Sequence, residues 1–361
     1  MQKFTIMEKI FTPFNKNGLQ LKNHIVMAPM TRARALHNIP NALMATYYGQ
    51  RSEAGLIITE ATAISPDALG YTRIPAIYTK AHIEGWKLIT QRVHQNGSKI
   101  FLQIVHSGRI GHIDNLPDGA RLVGVSEKKA NGQVFTDTLA LQDFSEPQAL
   151  STQAVNQVIE DFVSAARNAI QAGFDGIELH GANGYLMEQF LHPEVNNRTD
   201  RYGGSIENRT RFILEVAAKV SAAIGKSNVG IRLSPYSTLG DLSAYPKQDI
   251  HATYTYLAEE LDKIGVSYIH LALNPAADSS TYQSMRDSFT GNIIYCNGLN
   301  LQSAEQVLQA GTADLVGFGR HFIANPDLVS RWQKNVQLQE ADTATYFTPD
   351  PKGYVDYPLL N

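Results

Sequence analysis

The chain has 361 residues, a formal net charge of -3 at pH 7 and 43% hydrophobic residues. This length is enough for a large buried core, and it fits two average domains or one α/β barrel with insertions. The near-neutral charge provides no strong field for nucleic acid or acidic membranes, and the single cysteine, Cys296, excludes an internal disulfide framework and a cysteine-ligated zinc or iron–sulfur site.

The N-terminal segment shows no targeting pattern. Its first residues, MQKFT, lead into no apolar signal-peptide core, and no uncharged run approaches the roughly 18 residues of a membrane span. We therefore expect a cytoplasmic protein without nucleic-acid or membrane partners. Within residues 1–23, the pair Asn17-Gly18 lies between two short extended runs, which predicts a hairpin that closes the N-terminal end of a barrel.

Eight short apolar runs follow, as is typical of parallel strands covered on both faces. The predicted strands are residues 24–30, 56–61, 100–105, 176–180, 229–233, 268–273, 293–296 and 315–318. Helical patterns separate them at residues 41–53, 81–95, 151–172, 205–224, 248–264, 283–288, 301–309 and 326–333. Residues 108–150, rich in turn-forming residues, are too long for a plain loop and predict a cap over one end of the fold.

Strands that alternate with helices predict either a closed barrel or a doubly wound sheet. The dinucleotide fingerprint G-x-G-x-x-G occurs nowhere in the chain, which disfavours the doubly wound sheet. No linker or composition shift divides the sequence. We therefore predict an α/β fold: a single (β/α)8 TIM-barrel domain over residues 1–361, with an N-terminal hairpin and a long excursion after strand 3.

Barrel enzymes place their sites at the carboxyl ends of the strands, and this rim carries polar residues. The last two strands end in Asn297-Gly298 and Gly319-Arg320, the habitual phosphate position of such barrels. Glycine admits a close anion and arginine gives a charge-assisted contact, although these glycines could also simply turn the chain. A phosphate-bearing ligand is the functional interpretation.

Strand 4 ends in His180, Asn183 and Tyr185, three hydrogen-bond donors within six residues. A catalytic cluster and a set of satisfied structural groups are both open interpretations. We expect no metal site, because His180 has no companion at ligand spacing and Glu178 is predicted to point the opposite way along the strand. A serine hydrolase is also disfavoured, since no G-x-S-x-G motif is present.

Four long motifs resemble the Old Yellow Enzyme family of flavoproteins. They are IVMAPMTRAR at residues 25–34, ELHGANGYLMEQFLHPEVNNRTDRYGGSIENRTRF at 178–212, LVGFGRHFIANPDL at 315–328 and GYVDYP at 353–358. The resemblance runs in order over essentially the whole chain. It implies a barrel with non-covalent FMN at the strand ends, reduced by NADPH and oxidised by an activated alkene.

The resemblance also implies roles for individual residues in cofactor binding. Thr31 would bond the flavin O4, Gln103 the pyrimidine edge, and Arg232 would lie beside N1 and O2. Asn297, Gly298, Gly319 and Arg320 would hold the phosphate. The remaining FMN contacts would come from Ala28, Pro29, Met30, Ala61 and His180.

Similar reasoning by resemblance gives the catalytic residues. His180 and Asn183 would grip the carbonyl or nitro oxygen of the substrate, and Tyr185 would protonate Cα as hydride reaches Cβ. Tyr71, Val105 and Phe347 would line the same substrate pocket. The implied partners are small-molecule activated alkenes, with phenolic ligands as inhibitors, and the protein would be a monomer or homodimer.

Two positions depart from the family pattern and concern the shape of the pocket. Val105 stands where many relatives have tryptophan, and Tyr346-Phe347 stands where relatives often have Phe-Tyr. Substrate identity is therefore left open, between a broad ene-reductase and a dedicated biosynthetic enone reductase. A flavin-binding barrel without catalysis is a third alternative, which the intact His180, Asn183 and Tyr185 disfavour.

Overall fold

Eight parallel strands close into a barrel with helices outside it. The computed structural model describes residues 9–137, 140–275 and 277–360. The barrel strands, β1 to β8, pair in chain order, and the pairing of β3 with β4 and of β8 with β1 completes the ring. They are Ile25–Met27, Leu56–Ile58, Lys99–Val105, Gly176–Gly181, Val229–Leu233, Tyr268–Ala272, Asn292–Cys296 and Leu315–Phe318. The predicted TIM barrel is confirmed.

A helix follows each strand and covers the outside of the barrel. These helices, α1 to α8, are Ala42–Gln50, Lys80–Gln95, Thr152–Gln171, Ile206–Ile224, Lys247–Ile264, Ser279–Ser288, Leu301–Gln309 and Leu328–Gln333. Helix α6 begins four residues earlier than predicted because the Asp278 side chain caps it, accepting from the Ser280 backbone N–H at 3.0 Å. No helix in the described part of the chain is both long and apolar enough to span a bilayer.

Strands β1 and β2 are shorter than predicted. The strands end at Met27 and Ile58, and each is followed by one more backbone hydrogen bond to a neighbouring strand, from Ala28 N–H to the Phe318 carbonyl and from Thr59 N–H to the Phe101 carbonyl, both at 3.0 Å. Side chains add contacts beyond β2, since the Gln103 backbone N–H donates to Thr59 Oγ1 at 3.2 Å and Tyr48 Oη donates to Glu60 Oε1 at 3.2 Å. Residues 29–31 and 60–61, beyond these bonds, form part of the barrel rim.

An apolar floor fills the N-terminal end of the barrel. The hairpin of Phe14–Lys16 with Leu19–Leu21 packs Phe14, Leu19 and Leu21 against inward-facing barrel side chains. Among those side chains are the rings of Phe101 and Tyr268, whose centroids lie 5.8 Å apart. The hairpin predicted at Asn17-Gly18 is therefore present and lies at the predicted end, although residues 1–8 of that segment lie outside the described residues.

The segment of residues 108–150 stands over the opposite end of the barrel. It contains an antiparallel pair, Gln133–Phe135 with Leu141–Asp143, whose connection includes two residues outside the described chain. Its apolar cluster packs against Tyr71 and Tyr185, two of the residues predicted to line the pocket. That cluster consists of Ile110, Ala130, Val134 and Phe144.

Candidate active site

Three polar side chains from neighbouring strands meet inside the barrel just below the rim. His180 in β4 is in register with Arg232 in β5, which is in register with His270 in β6. Registered residues of parallel strands project to the same side, so the three side chains form one row. Arg232 is only 6% exposed, yet its Nε and Nη1 have no hydrogen-bond partner among the described residues. A buried cation with unused donors is costly without an anionic or polar ligand.

Glu178 lies in the layer beneath this row and not on the other side of the strand. Its Oε1 accepts from Gln103 Nε2 and its Oε2 contacts His270 Nδ1, both at 2.8 Å. The expectation that Glu178 points away from His180 is wrong, because side chains two residues apart on a strand share a face. Burial alone would lower the pKa of His270, but the Glu178 carboxylate raises it above its usual value.

The described residues contain no group of three or more His, Cys, Asp or Glu side chains able to hold a metal ion. The only acidic partner of the row, Glu178, is engaged by Gln103 and His270. Two of the buried polar atoms without a partner among the described residues, Arg232 Nε and Nη1, are hydrogen-bond donors.

His180 is held as a neutral imidazole. Burial lowers its pKa well below the ordinary value, and the nearby charge of Arg232 lowers it further. Its Nδ1 is buried and finds no hydrogen-bond partner within the described chain. The ring meets the Tyr185 ring edge-on, with centroids 4.8 Å apart. Neutral histidine retains one N–H, so His180 can still donate a hydrogen bond to a ligand.

The turn after β4 brings Asn183 to the same place. Asn183 and Gly184 have φ angles of 60° and 80°, a left-handed pair that reverses the chain at the rim. A Cβ atom on residue 184 would lie 2.4 Å from the Leu239 carbonyl oxygen, so only glycine fits. The Asn183 backbone N–H donates to Ser234 Oγ at 2.9 Å, and its half-buried side chain shows no hydrogen bond to the described residues. Its amide group is free for a ligand.

Tyr185 and Tyr71 form a pair of hydroxyls under the residue 108–150 segment. Tyr185 Oη donates to Tyr71 Oη at 3.3 Å, and the two rings meet edge-on with centroids 6.0 Å apart. Burial raises the pKa of both phenols above the usual value, although the Tyr71 hydroxyl opposes this shift at Tyr185. Both phenols therefore carry their protons at neutral pH.

Val105 and Phe347 occupy different environments at the predicted pocket. Val105 is 1% exposed and, two residues beyond Gln103, projects into the barrel beside His180. Phe347 is 52% exposed, and its backbone carbonyl accepts from Arg73 Nη2 at 3.3 Å, close to the Tyr71 loop. Val105 is thus enclosed in the barrel, whereas Phe347 lies at the surface.

The ends of β7 and β8 form an open, positively charged part of the rim. Asn297 and Gly298 have φ angles of 77° and 70°, and a Cβ on residue 298 would meet no atom within 4 Å. Gly319 lies next to Met30, and Arg320 is exposed. Successive left-handed residues expose backbone N–H groups to an anion. Of the other predicted FMN contacts, Ala28 and Ala61 are buried while Pro29, Met30 and Thr31 are half-buried.

These features fit a flat polar ring with a phosphate tail. The buried donors of Arg232 and His180 match the ring, and the open turn at Asn297-Gly298 with Arg320 matches the phosphate. The rim also contains two residues that the sequence did not single out, Glu188 and Ser234, which support the Asn183-Gly184 turn. This supporting role is visible only from their contacts between a helix, a turn and the residue after β5, and no local sequence motif indicates it.

Comparison with known proteins gives consistent matches over nearly the whole chain. Residues 9–339 match the model of the NADH:flavin oxidoreductase / NADH oxidase family. The chain is 42% identical to 12-oxophytodienoate reductase 1 of Oryza sativa subsp. japonica, over 97% of this chain and 93% of that protein. It is 38% identical to 12-oxophytodienoate reductase 2 of Arabidopsis thaliana, over 97% of this chain and 96% of that protein.

Solved structures agree with these matches. Morphinone reductase in complex with tetrahydroNAD superimposes with a TM-score of 0.93 at 43% identity, covering 98% of both chains. The Old Yellow Enzyme homologue from Zymomonas mobilis superimposes with a TM-score of 0.92 at 35% identity, covering 98% of this chain and 100% of that one.

Proposed function

Because this chain belongs to the NADH:flavin oxidoreductase / NADH oxidase family and is an oxidoreductase of the Old Yellow Enzyme type, we propose that it is an NADPH-dependent ene-reductase with non-covalent FMN. Its substrates are α,β-unsaturated carbonyls, maleimides and nitroalkenes. The observation that carries the proposal is the row of buried, unpartnered donors at the rim, next to the protonated phenol of Tyr185.

Bound FMN would supply the hydride chemistry, as the carrier between the reduced nicotinamide and Cβ of the alkene. Arg232 contributes a fixed positive charge under the rim, and its free Nε and Nη1 would stabilise negative charge on the ring. Gln103 is held with its amide N–H toward Glu178, so its carbonyl oxygen is free to accept from the ring. Asn297, Gly298, Gly319 and Arg320 hold the phosphate.

His180 and Asn183 bind the carbonyl or nitro oxygen of the substrate. Their side chains show no hydrogen bond to other described residues, and at Asn183 only the backbone N–H is bonded, to Ser234 Oγ. Negative charge grows on that oxygen as hydride arrives at Cβ, so donors fixed in place stabilise the transition state more than the ground state. The neutral state of His180 is sufficient for this role.

Tyr185 protonates Cα from the face opposite the hydride. Its phenol is fully protonated at neutral pH because burial raises its pKa. The developing carbanion is a far stronger base than a phenolate, so the transfer is downhill. Tyr71, at 3.3 Å, can turn its hydroxyl to donate to the phenolate that remains.

The relatives named above carry different substrates in their names: two are 12-oxophytodienoate reductases and one is a morphinone reductase. We propose a broad range of small activated alkenes. Rates across a panel of cyclic and open-chain enones test this, since one substrate far ahead of all others would indicate a dedicated biosynthetic reductase.

The cofactor is tested first on the purified protein. We expect a yellow protein whose flavin is released intact by heat or acid and identified chromatographically as FMN. Arg232→Met should bind FMN more weakly, because the ring would lose a buried cation partner, whereas Arg201→Met, on the exposed outer surface, should not. Release of FAD, or a colourless protein that ignores added FMN, would contradict the proposal.

A further inference from the structure

Glu188 is a buried carboxyl group that contacts none of the residues proposed to bind the flavin ring. It lies in the short helix Leu186–Leu191 after the Asn183-Gly184 turn and is 3% exposed. No Lys, Arg or His among the described residues forms an ion pair with it. A buried carboxylate without a cation is costly unless several hydrogen bonds support it.

Those hydrogen bonds all lead to the turn that carries Asn183. Glu188 Oε2 accepts from the Gly184 backbone N–H at 2.6 Å. Its Oε1 accepts from Ser234 Oγ at 2.7 Å and from Tyr254 Oη at 3.0 Å. Ser234 Oγ in turn accepts from the Asn183 backbone N–H at 2.9 Å. The carboxylate thus holds both N–H groups of the left-handed turn, one directly and one through Ser234.

The surroundings of Glu188 let its charge change near neutral pH. Burial raises its pKa to about 7, against the lowering effect of the Ser234, Gly184 and Tyr254 hydrogen bonds. A narrow cavity behind it is lined by His192, Tyr236, Tyr245 and Tyr254. Burial lowers the pKa of His192, so this ring is neutral at neutral pH. Arg109 and Arg209 are engaged by backbone carbonyls.

We propose that Glu188 is a positioning residue whose carboxylate fixes the Asn183-Gly184 turn for binding of the substrate oxygen, and that its protonation loosens the turn. This inference rests on the proposed ene-reductase function. A protonated carboxyl group is uncharged, so the Gly184 N–H loses its charge-assisted hydrogen bond and keeps at most an ordinary one. Asn183 then donates less effectively to the substrate, while Tyr185 and the hydride donor are unchanged.

The test is reoxidation of the NADPH-reduced holoenzyme by a cyclic enone, followed by stopped flow from pH 5.5 to 8.5. Enone concentration is varied at each pH, which separates the apparent Kd of the enone from the limiting rate. For the wild-type protein we expect the Kd to rise roughly tenfold as pH falls through about 7, the worth of one charge-assisted hydrogen bond. The limiting rate should change much less.

Glu188→Gln has nearly the same shape but cannot titrate in this range. Its Kd should be independent of pH and close to the low-pH value of the wild-type protein. Glu188→Asp keeps the ionisable group but withdraws its oxygens, so it should bind the enone more weakly and still show a pH transition. Glu305→Gln is the control: this buried carboxylate accepts from the Ile10 backbone N–H at the far end of the barrel and should leave the wild-type profile intact.

Two results would overturn the inference alone: a wild-type Kd that does not change with pH, or the same transition in wild-type and Glu188→Gln proteins. Failure of the enone to reoxidise the enzyme at any pH would overturn the proposed function and this inference together.

Discussion

Burial shifts the pKa values of His180 and Tyr185 in opposite directions, and both shifts favour the neutral side chain. It lowers the pKa of the His180 imidazole and raises the pKa of the Tyr185 phenol. Each side chain is therefore neutral and carries a proton over the whole neutral range. In the proposed mechanism His180 donates a hydrogen bond, whereas Tyr185 gives its proton away. Because both side chains are neutral, the different roles proposed for His180 and Tyr185 follow from their positions relative to the substrate.

Replacing Tyr185 by phenylalanine should separate the two half-reactions. Reduction of the flavin by NADPH needs no acid and should be nearly unaffected. Reduction of an enone should slow by roughly two to four orders of magnitude, the usual worth of a positioned general acid. Nitroalkenes should suffer less, because water can protonate the nitronate that they form.

Tyr71→Phe is the matched control, since it removes the hydroxyl partner 3.3 Å away and leaves the acid in place. We expect it to slow enone reduction by no more than roughly tenfold, the worth of one hydrogen bond. The rates of both half-reactions are measured for the two variants by transient kinetics. Equal losses in the two half-reactions of Tyr185→Phe would show that Tyr185 is structural.

Val105 is the residue at which we expect the shape of the substrate pocket to differ from that of relatives with tryptophan at this position. It is buried inside the barrel, one position beyond the Leu179–Ile104 pair and therefore beside His180. A valine leaves more room there than an indole, so bulky or β,β-disubstituted enones should be accepted. Val105→Trp should reverse this preference by one order of magnitude or more, because even one methylene in an apolar pocket is worth roughly 1–3 kcal/mol. Identical rates and product enantiomers in both proteins would mean that neighbouring side chains fill the space.

At the scale of elements, the sequence predicts the features that follow from a local residue pattern, such as strands and turns. It does not predict the features that depend on contacts between residues far apart in the chain. Asn17-Gly18 predicted the hairpin, and apolar runs predicted all eight strands. The early ends of β1 and β2 could not be predicted, because the apolar runs continue past the last paired residues; beyond β2, for example, the Gln103 N–H bonds to the Thr59 side chain. The support that Glu188 gives to Asn183 was missed because it joins a helix, a turn and the residue after β5.

Substitution of Gly230 on β5 tests whether the packing of the barrel floor depends on a contact between distant residues. A Cβ on residue 230 would lie 2.1 Å from Cζ of Tyr268, so the ring occupies the space of the missing side chain. Gly230→Ala should lower the free energy of unfolding by about 1–3 kcal/mol, the usual cost of overpacking. The same change in a Tyr268→Leu background should cost much less, since the clash is gone. Urea denaturation measures both, and equal costs in the two backgrounds would contradict the contact.

At the scale of the whole molecule, the barrel divides its interior into three layers with different tasks. The hairpin and the Phe101 and Tyr268 rings form a dry floor. Above it, Glu178 fixes Gln103 and His270 through two hydrogen bonds of 2.8 Å. The rim leaves Arg232, His180 and Asn183 with free donors, under the residue 108–150 segment that contacts Tyr185. Rigid lower layers hold the free donors in place, which is the preorganisation that stabilising a developing charge requires.

The measurement that tests the central claim most directly is an anaerobic cycle on the purified protein, followed by its visible spectrum. NADPH should bleach the flavin band, and a cyclic enone added to the reduced protein should restore it with formation of one saturated ketone per flavin. The His180→Ala/Asn183→Ala double variant should still bind FMN but should no longer be reoxidised efficiently by the enone. A wild-type protein that is reduced by NADPH and stays bleached in the presence of enones, maleimides and nitroalkenes alike would contradict the account.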